Sequence, residues 1–96
     1  MLLHVVNRSP ATSRVYQQAL SGMSPDDRLL LIEDGVQGAL PQLVRYYAGL
    51  EGRLFALKED LESRGLLGHC DASVQVVDVD GFVDLTEEAE RTVSWY

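Results

Sequence analysis

Arg28-Leu29-Leu30-Leu31-Ile32-Glu33-Asp34-Gly35 is the stretch on which the architecture turns. Leu29 to Ile32 are apolar at four consecutive positions. A strand with one wet face would alternate apolar and polar residues, so this run reads as a strand covered on both faces, in the middle of a parallel sheet. Glu33-Asp34-Gly35 punctuates its C-terminal end. Upstream, Leu2–Val6 is a second apolar run, broken only by His4 and stopped by Asn7-Arg8-Ser9-Pro10. Ser9-Pro10 then opens a helix over 12–21, with Val15 and Ala19 inward and Tyr16 and Leu20 beside them. Gly22 ends that helix, and Ser24-Pro25-Asp26-Asp27 forms a turn into the central strand.

Downstream, Val36–Leu40 begins a helix of about two turns. Pro41 either kinks it or restarts it, and Leu43, Val44, Tyr46 and Tyr47 continue its apolar stripe. Arg53–Leu57 is a third strand, Lys58–Arg64 a short helix closed by Gly65, and Val74–Val79 a fourth strand. Asp80-Gly81 breaks it, Phe82–Arg91 reads as a helix, and residues 92–96 suit a last short strand. Strands alternating with helices across short turns imply βαβ units with right-handed crossovers. The expected fold is therefore α/β: a small, four- to five-stranded, mainly parallel sheet with helices on both faces, in one domain spanning residues 1–96.

The 96 residues carry 46% hydrophobic side chains, enough for a core. A chain this short buries roughly 60–65% of its extended surface, so part of that apolar share suits a partner. Fifteen acidic residues against 8 basic ones give a net charge of −7, and no basic run occurs. Direct nucleic-acid contact is not expected, because it draws on clustered Lys and Arg that displace counterions. A single cysteine cannot close an intramolecular disulfide. No apolar run suits a signal peptide or approaches the ~18 residues of a membrane span. A cytoplasmic location without membrane attachment is the expectation.

Ligands of open parallel sheets gather beyond the C-terminal strand ends. On this reading those ends carry Asn7-Arg8-Ser9, Glu33-Asp34-Gly35, Leu57-Lys58-Glu59-Asp60 and Asp78-Val79-Asp80-Gly81. Glu33, Asp34, Asp78 and Asp80 could bind Mg²⁺ through oxygen. Acidic residues at helix N-termini are more commonly caps, which satisfy free N–H groups, and that reading outweighs the metal. Cys70, beside His69, could be a nucleophile if the imidazole lowered its pKa. It precedes the fourth strand, however, away from the C-terminal edge, and an incidental loop thiol is the favoured reading. His4 reads as a satisfied core or subunit-facing histidine. Gly35, Gly38 and Gly81 spell neither GxGxxG nor GxxxxGK[ST], and Ser9 lacks a GxSxG elbow. Tyr46-Tyr47, Phe82 and Trp95-Tyr96 are large for so small a domain and suit an interface as well as a core. No catalytic, cofactor-binding or metal residue is assigned, and no cofactor is expected.

Five segments in order resemble the TusB/DsrH family. They are Leu3–Pro10, Leu29–Val36, Ala56–Leu66, Val77–Thr86 and the closing Ser94-Trp95. The resemblance implies a DsrE/F-like α/β fold in a heterohexamer with TusC- and TusD-like subunits. Such a complex takes persulfide sulfur from a TusA-like carrier and passes it through TusE to the enzyme that 2-thiolates the wobble uridine of tRNA. The family's sulfur-bearing thiol belongs chiefly to the TusD-like sister, where the third strand meets its helix; that place falls near Leu57. Some DsrH proteins carry a cysteine in the first helix, which falls on about Ala19. Neither residue here holds sulfur, which favours a TusB-like over a DsrH-like role.

The leading expectation is a non-catalytic subunit of a tRNA-thiolation relay, the chain itself contributing no catalysis. The alternatives are a direct persulfide carrier through Cys70, a DsrH-like subunit in sulfur oxidation, or a Mg²⁺-binding signalling module using Glu33, Asp34 and Asp80.

Overall fold

In a computed structural model describing residues 1–96, five strands form one sheet: Leu2–Val6 (β1), Arg28–Leu31 (β2), Leu54–Leu57 (β3), Gln75–Val77 (β4) and Arg91–Trp95 (β5). Their order is β4-β3-β2-β1-β5, and every neighbouring pair is parallel. The unbroken Leu29-Leu30-Leu31 run is the middle strand, and all three side chains are fully buried. Burying each one contributes roughly 1.5–3 kcal/mol before chain entropy is set against it. Three α-helices accompany the sheet: Val15–Ser21 (α1), Lys58–Ser63 (α2) and Val79–Glu88 (α3).

Register divides the buried side chains between two faces. Val6, Leu29, Leu31, Leu54 and Ala56 point to the first face, where Ala19 of α1 and Leu61 of α2 cover them. Leu3, Val5, Leu30 and Phe55 point to the second, under Leu85 of α3. The chain steps from β1 through β2 and β3 to β4 in one direction, then returns past β1 to place β5 on the far edge. A right-handed crossover that reverses direction has to run over the opposite face, which is why α3 lies alone on the second.

Several boundaries differ from the sequence expectation. The first helix starts at Val15, because Pro10 to Ser13 form a turn in which the amides of Thr12 and Ser13 donate to the Ser9 carbonyl. The expected helix from Val36 is instead a 3-10 segment, Glu33–Ala39, and Val44–Tyr47 is a second one after Pro41. Leu40 is extended, with ψ of 146°, as the residue before proline prefers. The first segment also lies too close to β1 for side chains: a Cβ on Gly35 would meet the Val6 carbonyl oxygen at 2.4 Å. α3 begins at Val79, so Asp80-Gly81 lies within its first turn and does not break the chain. Asp78 caps it, its Oδ1 accepting from the Gly81 amide at 2.8 Å. Arg91, expected at that helix's end, opens β5.

Candidate functional site

Two places in this framework bear on function: the crevice at the C-terminal ends of β3 and β4, and the buried end of β1. β3 leads into α2 on the first face and β4 into α3 on the second, so their connections part to opposite sides. In open α/β sheets that parting opens the ligand crevice. Here the parting falls between the Leu57–Glu59 and Val77–Val79 segments. Leu57, the residue before α2, is 9% exposed and brings no heteroatom to the junction. Carboxylates nearby are spent on the fold. Glu59 accepts from the Val79 amide at 3.4 Å and Asp60 from the Glu33 amide at 2.6 Å. Asp34 pairs with Arg64 at 3.0 Å, and Asp78 is the α3 cap.

The Asp60 contact holds Glu33 at φ 50°, a left-handed conformation that non-glycine residues adopt only when something fixes them. Of the residues expected to gather at this rim, Glu33 and Asp34 lie on the first 3-10 segment while Asp78 and Asp80 belong to the start of α3. No three His, Cys, Asp or Glu side chains converge as a metal ion would require.

At the other side of the sheet, β1 carries a polar knot. His4 is 1% exposed. Its Nε2 lies 2.9 Å from Asp27 Oδ2, and its Nδ1 lies 3.0 Å from Trp95 Nε1. An indole nitrogen only donates, so Nδ1 is the acceptor and the tautomer its partners assign carries hydrogen on Nε2, donating to Asp27. Asp27 also accepts from the amides of Leu2 at 2.9 Å and Ser24 at 3.0 Å. Burial pushes the Asp27 carboxyl up, but the Ser24 and Leu2 amides and His4 together outweigh it and bring its pKa down to about 2. The Trp95 ring stacks near His4, centroids 6.1 Å apart, and lies against Gly22, where an added Cβ would meet its Cζ2 at 3.1 Å. A His–Asp pair is also the arrangement of a general base and its orienting acid. With both imidazole nitrogens engaged under a buried surface, this one ties β1 to β5 and to the turn before β2.

The sequence reads His4 as a core or subunit-facing histidine and does not join it to Asp27 and Trp95; it lies in the core. Register is what joins them: His4 pairs with Leu29 and Val93, and Asp27 and Trp95 stand two residues from those partners, on the same face. Of the terminal aromatic pair, Trp95 docks inside its own chain and Tyr96 stays 61% exposed.

Cys70 is half-buried against the first-face core. Burial pushes its thiol pKa up, the reverse of what a persulfide-forming thiolate needs. Its neighbour His69 lines a cavity of about 390 Å³ with Leu40, Pro41, Gln42, Gly65 and Leu66. No hydrogen bond joins the imidazole to the sulfur.

Together these features define a small all-parallel α/β protein whose rim carboxylates are held in caps, backbone contacts and an ion pair. Comparison with known proteins gives the family. The description "DsrH like protein" matches residues 8–92, and the chain belongs to this DsrH-like family. It is 35% identical over 96 residues to Protein TusB of Serratia proteamaculans and 34% identical over 97 residues to Protein TusB of Escherichia coli K12. Each match covers 98% of this chain and 100% of the relative. The crystal structure of the ychN protein from E. coli superposes with a TM-score of 0.77 at 17% identity, covering 97% of both chains. No helix is long and apolar enough to cross a membrane.

Proposed function

We propose that this chain is a non-catalytic subunit of a cytoplasmic sulfur relay that supports 2-thiolation of the tRNA wobble uridine. In this reading residues 1–96 act as one domain, assembled with TusC- and TusD-like subunits and served indirectly by TusA- and TusE-like carriers. The observation that carries it is Leu57 at the β3–α2 junction, the place where a relay thiol of a sister subunit would stand. The lone thiol, Cys70, lies elsewhere with its thiolate disfavoured. A subunit role is supported by exposed apolar side chains on α3, where Val79 and Val83 stand one turn apart. The match to relatives named Protein TusB over nearly their whole length points the same way.

The test is complementation in cells that lack this chain, with 2-thiouridine in tRNA quantified by mass spectrometry. Unaltered chain and the Cys70→Ser variant should restore thiolation equally, and both should co-purify with TusC- and TusD-like proteins. Thiolation by Cys70→Ser no better than in the deletion would replace this reading with a direct persulfide carrier. Restoration without any association would remove the subunit role.

A further inference from the structure

The 15 acidic side chains outnumber the 8 basic ones, yet only two of the seven arginines pair with a carboxylate. Four of the seven are engaged, and Arg91, at the start of β5, has no partner and lies outside the cleft that Arg8 and Arg14 share. Arg28 pairs with Glu88 at 2.6 Å and Arg64 with Asp34 at 3.0 Å. Arg53 donates to the carbonyls of Asp27 and Gly49, and Arg45 lies over the Tyr46 ring. Arg8 and Arg14 have neither an ion pair nor a hydrogen bond, yet they line the same cleft of about 510 Å³. Ser13, Gln17, Gln18 and Tyr96 line it with them, and no Asp or Glu does. Arg8 follows β1 and Tyr96 follows β5, so the cleft opens at the C-terminal edge of the sheet.

The lining residues specify a ligand. Two unpaired guanidiniums call for two negative charges, which a phosphate monoester supplies and a single carboxylate does not. The Ser13 hydroxyl oxygen already accepts from the Val15 amide at 3.2 Å, leaving its proton free to donate. Tyr96 is largely exposed and lines the cleft, and an aromatic ring there is what a planar group would stack on. The net charge of −7 repels a long phosphate chain but leaves room for one phosphate at a local positive site. The geometry points to a binding site for a nucleoside monophosphate, its phosphate on Arg8 and Arg14 and its base against Tyr96. This site is separate from the Leu57 junction, so its failure leaves the relay role untouched.

The test is titration of the full chain, with its partners where it is isolated in complex, by adenosine 5′-monophosphate, inorganic phosphate and adenosine, followed by amide chemical shifts. Saturable shifts are expected at Arg8, Ser13, Gln17, Gln18 and Tyr96, with the monophosphate at least about tenfold tighter than phosphate or adenosine. Arg8→Ala and Arg14→Ala should each weaken the monophosphate about tenfold. Tyr96→Ala should weaken it about fivefold while leaving phosphate unchanged. All three side chains are exposed, and unperturbed core amide shifts will report an intact fold. No saturable binding up to about 10 mM, adenosine binding as tightly as its monophosphate, or full affinity in the Arg8→Ala/Arg14→Ala chain would each overturn the site.

Discussion

On the first face of the sheet, twelve buried residues form one cluster that takes in α1, the two 3-10 segments and α2, whereas on the second the cluster is five, with Leu85 of α3 among them. The first face also holds the His4–Asp27–Trp95 knot, in which every buried polar contact has a partner within the chain. The second face ends in α3, whose outer side leaves Val79 49% and Val83 46% exposed. The contrast shows a chain whose first face is densely covered and whose second is thinly covered. Stability should concentrate in the first.

The largest effect is therefore expected at Asp27. Asp27→Ala would leave His4 Nε2 and the Leu2 and Ser24 amides without their acceptor, at a cost of about 3–5 kcal/mol. In a domain whose whole stability is about 5–15 kcal/mol, the urea midpoint should fall by about a fifth or more. Leu85→Ala should cost less, about 2–3 kcal/mol, because a helix open to solvent can settle into the space it leaves. Its signature is local. Hydrogen exchange in α3 should quicken before that of β1 and β2. If Leu85→Ala cost as much as Asp27→Ala and unprotected both faces together, the two faces would be one cooperative unit and the contrast would fail.

Acid should act on the first face specifically. The Asp27 carboxyl titrates lower in the folded chain, at about 2, than at its ordinary value of 3.8. The folded state therefore binds its proton less readily than the unfolded state. Stability from this group is fully present above pH 4 and is lost as pH falls toward 2. The difference corresponds to about 2–3 kcal/mol. Denaturant titrations between pH 5 and 2 should show a steeper loss for the unaltered chain than for Asp27→Asn, and parallel curves would place the acid sensitivity elsewhere.

How far the sequence could be read follows from the range of each interaction. The β2 run and the β1 run were legible because burial on both faces removes polar residues from a strand outright. The end of α2 was legible because Gly65, at φ 68°, occupies a conformation few other residues accept. The start of α3 was legible in kind but not in place: Asp78 reads as a helix cap, which it is, but the apolar run carries the expected strand on to Val79 and sets the helix start at Phe82. The 3-10 segments were missed because what prevents an α-helix is the approach of Gly35 to Val6, a contact across the sheet. The polar knot joins residues 23 and 91 positions apart, and only strand order brings them together. The caps and ion pairs that hold the rim carboxylates, Glu59 on Val79, Asp60 on Glu33 and Arg64 on Asp34, depend on the same non-local packing.

The smallest effect sharpens what distinguishes the knot from the rest of the first face. Tyr47 is buried in the same core, its ring 5.9 Å from that of Tyr16 and too close to Gly38 for any side chain there. Its hydroxyl has no hydrogen-bond partner. Burial, with Tyr16 nearby, holds the phenol's pKa above its ordinary value, so the group stays neutral at any physiological pH. A buried neutral hydroxyl without a partner has given up its bonds to water and gained none in return. Tyr47→Phe keeps the ring and removes that deficit, so it should leave stability unchanged or raise it by up to about 1 kcal/mol. A urea midpoint that fell instead would mean the hydroxyl finds a partner in solution. The two buried polar sites of this face would then differ in geometry alone, and satisfaction of hydrogen bonds would no longer explain why Asp27 matters more than Tyr47.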